Sequence, residues 1–89
     1  MPITIEKMNE TTFKVTVADR TTTTHVVTVA PEYWQKLTEG NVAAEKLVEK
    51  SFEFLLEREP NTSILGTFEL PVIQRYFPEF EKTIRSMLK

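Results

Sequence analysis

The first third of the chain alternates apolar and polar side chains with a period of two. The apolar positions of three successive runs are Ile3 and Ile5, then Phe13, Val15 and Val17, then Val27 and Val29. This period, in segments rich in Val, Ile, Thr and Phe, is typical of β-strands that bury one face. Turn-forming residues lie between the runs, and strands joined by short turns pair as an antiparallel meander. The pattern therefore predicts a three-stranded antiparallel β-meander.

The polar positions of the same strands predict an exposed face for this sheet. They fall on the side opposite to the apolar row and include Lys14, Thr16, Thr24 and Thr28. An antiparallel sheet commonly packs one face on the core and leaves the other in water. We therefore expect the rest of the chain to cover one face of the sheet.

After the third strand the spacing of apolar residues changes to that of helices. We expect a short helix from Pro31 through Leu37, because proline suits the first turn of a helix. Asn41 is then expected to cap a longer helix that runs to about Arg58 or Glu59 and stops before the next proline. Apolar and small side chains share one face of that helix: Ala44, Leu47, Val48, Ser51, Phe52 and Leu55.

A connector over residues 60–70 leads to the last helical segment. Its apolar side chains are expected to anchor the connector on the core: Ile64, Leu65, Phe68 and Leu70. Beyond Pro71 a helical pattern with an apolar stripe that includes Tyr76 runs to the last residue. Pro78 should kink or restart it because proline removes a backbone donor. The predicted fold class is thus α+β, with a three-stranded antiparallel β-meander followed by three helices packed on one face.

Length and composition indicate one domain over residues 1–89. The chain has 89 residues, 40% of them hydrophobic and 27% charged, which is typical of a globular protein. It contains no cysteine, so disulfides and thiolate sites are excluded and a reducing compartment is favoured. No export signal and no apolar run of about 20 residues is found. We expect a cytoplasmic protein with no membrane association.

The titratable residues do not form a recognisable catalytic motif. His25 is the one histidine, and we expect it to be an ordinary, half-exposed strand residue. The acidic pairs Glu57 with Glu59 and Glu79 with Glu81 are spaced two residues apart, which places their side chains on different sides of a helix. With two glycines in the chain, no glycine-rich phosphate loop can form. The sequence predicts no enzymatic activity, no cofactor and no metal site.

One alternative function is a small-molecule enzyme or carrier centred on His25 and the threonine strand. His25 follows directly on a run of four threonines, residues 21–24. A histidine can act as a general base, and hydroxyl groups can bind a polar ligand. Threonine is also typical of strands, where it can form cross-strand hydrogen bonds, and we favour this interpretation. A concave pocket beside His25 is what this alternative requires.

Surplus apolar surface favours a protein-interaction module. The chain has nine aromatic residues (six Phe, two Tyr and one Trp), many for a small sheet to cover. Phe54 and Leu56 lie on the shoulders of the longer helix, outside its main apolar face. Apolar surface left over after packing is commonly closed by a second chain. We therefore predict binding to a partner protein or formation of a homodimer, with Phe54 and Leu56 as candidate contact residues.

Basic residues of the last helical segment suggest a second interaction. Arg75, Lys82 and Lys89 recur every seven residues, with Arg85 on the same polar side. On a continuous helix they form a stripe that can contact phosphates. The net charge of −2 argues against general binding to nucleic acid. The alternative function is a small nucleic-acid-associated regulator, antitoxin-like or repressor-like, that uses this basic face.

Part of the sequence resembles a family of small prokaryotic proteins with no assigned function. The resemblance is carried by residues 51–65 (SFEFLLEREPNTSIL), followed by residues 68–73 (FELPVI) and 76–79 (YFPE). It implies a short prokaryotic protein and brings no activity, cofactor or site residue with it.

Overall fold

A computed structural model describes residues 3–89 as a sheet with helices on one side. The elements in chain order are β1 (Ile3–Lys7), β2 (Thr12–Ala18), β3 (Thr22–Thr28), α1 (Pro31–Thr38), α2 (Ala44–Leu56), a 3₁₀ turn (Asn61–Ser63), β4 (Thr67–Glu69), α3 (Val72–Tyr76) and α4 (Phe80–Met87). The α+β class is therefore confirmed.

The sheet has four strands in the order β1-β2-β3-β4, one more than predicted. The first three strands form the expected antiparallel meander, with Ile5 opposite Val15 and Val15 opposite His25. The fourth strand pairs in parallel with β3, with Phe68 opposite Val27. The prediction missed β4 because its three residues are too short a run for a period of two to stand out.

The helices cover one face of the sheet, as predicted. Side chains on that face are completely buried in β2 and β3, including Phe13, Val15, Val17 and Val27. On the opposite face Lys14 and Thr24 are exposed, whereas Thr16 and Thr28 are partly buried. The sheet thus has one packed face and one face in water.

The longer helix, α2, begins three residues later than the expected cap. Ala43 occupies the N-cap position with no side-chain hydrogen bond, so the prediction of Asn41 as the cap was wrong. The Trp34 indole Nε1 donates to the Val42 backbone oxygen at 2.7 Å, which ties this segment to α1. The helix ends at Leu56, two to three residues short of the predicted end at Arg58 or Glu59. Tertiary contact here outweighs the capping preference of asparagine.

Pro78 divides the last helical segment into two helices, so the number of helices exceeds the predicted three. The side chain of Gln74, in α3, bridges the break through two hydrogen bonds. Its Nε2 donates to the Pro78 backbone oxygen, and its Oε1 accepts from the Glu81 backbone N–H at 2.9 Å. The amide thereby satisfies the Pro78 carbonyl and one of the free N–H groups in the first turn of α4.

The helices of residues 3–89 are short. The longest, α2, has 13 residues, whereas crossing the hydrocarbon core of a bilayer takes about 20. Within this range no helix has both the length and the apolar character needed to span a membrane.

Tyr33 links α1 to α4. Its hydroxyl donates to Oε2 of Glu81 at 2.9 Å, while Oε1 of Glu81 lies 3.2 Å from the Lys36 ammonium. Burial and the neighbouring Glu81 carboxylate together raise the pKa of Tyr33 well above its ordinary value of 10.0. The fold therefore favours the neutral phenol.

We expect Tyr33→Phe to lower the free energy of unfolding by about 1 kcal/mol at neutral pH, because it removes this hydrogen bond. The raised pKa means that the contact stabilises fully below pH about 10 and loses its effect as the pH rises above that value. Urea denaturation of both proteins from pH 7 upward measures this. The difference in stability should shrink above pH about 10.

Tyr76→Phe is the matched control, because Tyr76 is 67% exposed and its loss of a hydroxyl should change stability at neutral pH by less than about 0.5 kcal/mol. An equal loss in both variants would contradict the role given to Tyr33.

Candidate binding groove

An open groove of about 360 Å³ lies between the C-terminal half of α2, the segment before β4, and α3. Each of these elements supplies apolar walls. Leu55 comes from α2, Ile64 and Phe68 from the segment and strand that follow it, and Ile73 and Tyr76 from α3. The polar contributions include Glu59 and Ser63. A concave apolar surface with few polar groups is the usual form of a binding site.

The rim of the groove carries strongly exposed apolar side chains. Among residues 3–89, three large apolar side chains are strongly exposed, and two of them line this groove: Leu65 at 47% and Tyr76 at 67%. The third, Met8 at 56%, follows β1 and lies outside the groove lining. Exposed apolar surface is thus concentrated at the groove.

The floor of the groove is firmly packed. Leu55, Ile64, Phe68 and Ile73 are each less than a tenth exposed, and they belong to the main core. The ring of Phe77, at one side of the groove, stands edge-on to Phe54 with centroids 5.9 Å apart. The groove is therefore formed by the folded protein itself and needs no ligand to shape it.

A polar network fixes the segment that carries Leu65. The Leu65 backbone oxygen can only accept, so His25 Nδ1 donates to it, at 2.7 Å. The other ring nitrogen, Nε2, then accepts from the Thr23 hydroxyl at 2.8 Å. Asn61 Nδ2 donates to Thr23 Oγ1 at 3.0 Å and to the Thr21 backbone oxygen at 2.7 Å. The groove wall is thus hydrogen-bonded to β3 through side chains that are themselves satisfied.

His25 is buried, so the expectation of a half-exposed strand residue was wrong. It is 2% exposed, and its ring centroid lies 5.3 Å from that of Phe52. His25 faces the core because it lies opposite Val15 and on the same side of β3 as Val27, both of which are completely buried. Both ring nitrogens are engaged within the protein, so neither is free to act on a substrate. The arrangement gives His25 a structural role.

The residues predicted for interaction lie in different environments. Phe54, expected on an exposed shoulder of α2, is completely buried between Phe77 and Phe80, and that expectation was wrong. The restart of the chain at Pro78 is the reason, because it lets α4 pack over this side of α2. Leu56 remains partly exposed, in a second concavity that includes Ile3 of β1.

The four predicted basic residues are all exposed: Arg75, Lys82, Arg85 and Lys89. Arg75 belongs to α3, whereas Lys82 and Arg85 belong to α4 and Lys89 follows it. The break at Pro78 separates them, so the stripe along one continuous helix does not form. Within the part of the chain described, none of the four has a carboxylate within 4.0 Å.

Metal ligands do not converge in residues 3–89. No group of three or more His, Cys, Asp or Glu side chains there is placed to hold an ion.

Leu65 and Tyr76 are more exposed than the sequence predicts. The pattern predicts Leu65 as an anchor on the core and Tyr76 as part of an apolar stripe. Ile64, Phe68 and Leu70 are buried as expected, but Leu65 points outward. The signal was available, since Ile64 and Leu65 are adjacent and neighbouring side chains of an extended segment point in opposite directions. Tyr76 gave no comparable signal, because its exposure follows from the end of α3 at this residue.

Comparison with models of known protein families, with curated proteins and with solved structures found no match. The resemblance to small prokaryotic proteins therefore stays a prediction.

We expect Asn61→Ala to lower the free energy of unfolding by about 2 kcal/mol, because the buried amide donates several hydrogen bonds and their acceptors lose a partner. Thr62→Ala, in the same 3₁₀ turn but exposed, is the matched control and should change stability by less than about 0.5 kcal/mol. Urea denaturation compares the two. A small effect of Asn61→Ala would mean that the network does not hold this segment.

Proposed function

We propose that this protein is a non-enzymatic protein-interaction module whose groove takes an apolar side chain of a partner protein. The observation that carries the proposal is the exposure of Leu65 and Tyr76 on the rim of a firmly packed groove. Tyrosine in particular contributes strongly at interfaces, because it adds a large, rigid contact area at small entropic cost.

The groove also indicates the chemistry of its partner. A volume of about 360 Å³ is at the lower end of the range for small-ligand pockets, and it suits one or two large side chains. Glu59 and Ser63 at the wall offer oxygen acceptors. A partner segment with a leucine or aromatic side chain next to a lysine or arginine fits both features.

Binding can be tested with peptides selected from a random phage-displayed library on the immobilised protein. A selected peptide is then synthesised and titrated against the unmodified protein, Leu65→Ser and Tyr76→Ser. Each substitution removes apolar area from the rim, so we expect affinity to fall about tenfold, which corresponds to about 1.4 kcal/mol.

Met8→Ser is the matched control, because Met8 is an equally exposed apolar side chain outside the groove lining. It should leave the affinity unchanged. Failure of the library to yield a common motif, or peptides that bind Leu65→Ser as tightly as the unmodified protein, would count against the proposal.

A second candidate, a nucleic-acid-associated regulator, is favoured by one observation. Lys82, Arg85 and Lys89 follow the spacing of one helix face, and no carboxylate of residues 3–89 lies within 4.0 Å of them. Cations free of such pairing are available to phosphates.

Fluorescence anisotropy with a labelled random-sequence duplex, measured over a series of salt concentrations, tests this candidate. Binding through these residues should weaken steeply as salt rises, and Lys82→Ala with Arg85→Ala should reduce the salt slope by about 2. Lys14→Ala, which removes an exposed cation from the open face of the sheet, should leave the slope unchanged. Absence of salt-dependent binding removes the candidate.

A further inference from the structure

The outer edge of β1 has a defined set of free backbone groups. The Met8 N–H donates to the Thr12 oxygen at 2.9 Å, in line with the β1–β2 register. Because paired residues of an antiparallel ladder alternate, the backbone groups of Thr4 and Glu6 also point toward β2. Those of Ile3, Ile5 and Lys7 therefore point away from the sheet. Within residues 3–89 no other strand pairs with this edge.

The side chains next to this edge are apolar and acidic. Ile3 and Ile5 lie on the helix-covered face and are partly exposed. A concavity of about 370 Å³ beside the edge is lined by Ile3, Glu53, Leu56 and Glu57. Glu57 is exposed, and no cation of the described chain lies within 4.0 Å of it.

We propose that β1 pairs with β1 of a second copy of this chain, antiparallel and about a two-fold axis at Ile5. This register uses all five residues of β1 and forms roughly six backbone hydrogen bonds through the outward-pointing groups. It places Ile5 against Ile5 of the second copy on the helix-covered face, where both are partly exposed. A two-fold axis at Glu6 would instead set two carboxylates directly opposite each other, which is unfavourable.

Charge complementarity supports the same register. With the axis at Ile5, Lys7 of the second copy lies directly opposite Ile3 and on the same face. Its ammonium then reaches the concavity beside Glu57, in which the other carboxylate, Glu53, is already paired with Lys50 at 3.3 Å. Lys7 is exposed, and no carboxylate of residues 3–89 lies within 4.0 Å of it. Two-fold symmetry repeats the contact, so each copy supplies the cation for the other's acidic site.

Pairing through β1 limits the assembly to two copies. Pairing uses the β1 edge of both chains, and the remaining sheet edge, β4, has three residues. Since β1 and β4 lie at opposite edges of the sheet, the groove that contains Leu65 stays open in the dimer. The dimer therefore neither requires nor prevents the peptide binding proposed above.

Sedimentation equilibrium tests the association. We expect a concentration-dependent species of twice the chain mass of 10.3 kDa. Lys7→Glu should raise the dissociation constant about tenfold, because two symmetry-related attractions become repulsions. Combining it with Glu57→Lys should restore association. Lys82→Glu makes the same change in net charge away from the edge and should have no effect.

Amide hydrogen exchange locates the contact. The N–H groups of Ile5 and Lys7 should exchange more slowly as the protein concentration rises, whereas those of Thr4 and Glu6, bonded to β2, should not change. A monomer at every concentration overturns the proposal, as does a dimer in which Ile5 and Lys7 exchange as fast as in dilute protein. A dimer insensitive to Lys7→Glu overturns the register about Ile5.

Discussion

The packing of Phe52 against the sheet is the contact on which the remainder of the structure depends. This side chain is completely buried and projects from α2 toward the end of the sheet where β3 and β4 meet. Its ring lies 5.3 Å from that of His25 on β3 and 6.1 Å from that of Phe68 on β4. One aromatic ring thus joins the meander, the longer helix and the parallel strand. Burial of a phenylalanine contributes about 1.5–3 kcal/mol relative to exposure, which is substantial for a domain of this size.

The hydrogen-bond partners of His25 explain how a histidine can lie in the core beside Phe52. A buried imidazole is costly unless its nitrogens are satisfied. Here the backbone oxygen of Leu65 and the hydroxyl of Thr23 satisfy both, and Asn61 in turn satisfies the hydroxyl. The result is that a polar cluster inside the core orients a segment on the surface. The buried ring of His25 is thus hydrogen-bonded to the backbone of Leu65, whose side chain is exposed on the rim of the groove.

Local periodicity predicted those parts of the fold that depend on neighbours in sequence. The meander and the burial of Phe13, Val15 and Val17 follow from a period of two. The restart at Pro78 follows from the chemistry of proline. Features that depend on distant residues were missed. The cap of α2 is set by a contact from Trp34, Phe54 is buried because α4 folds back over it, and β4 exists because β3 offers it an edge. Of the candidate binding groove, the sequence identified the connector but not which of its side chains point outward.

The parallel pairing of β3 with β4 has a consequence for the order in which the molecule assembles. His25 and the oxygen it bonds are 40 residues apart in the chain, whereas the strands of the meander are joined by short turns. Closing a long loop must precede any gain from its contacts, so such pairings form late and slowly. A three-residue strand also offers few hydrogen bonds to resist opening. We therefore expect the groove wall to be the last part of the sheet to fold and the first to open in a local fluctuation, so that a ligand in the groove would also stabilise this edge of the sheet.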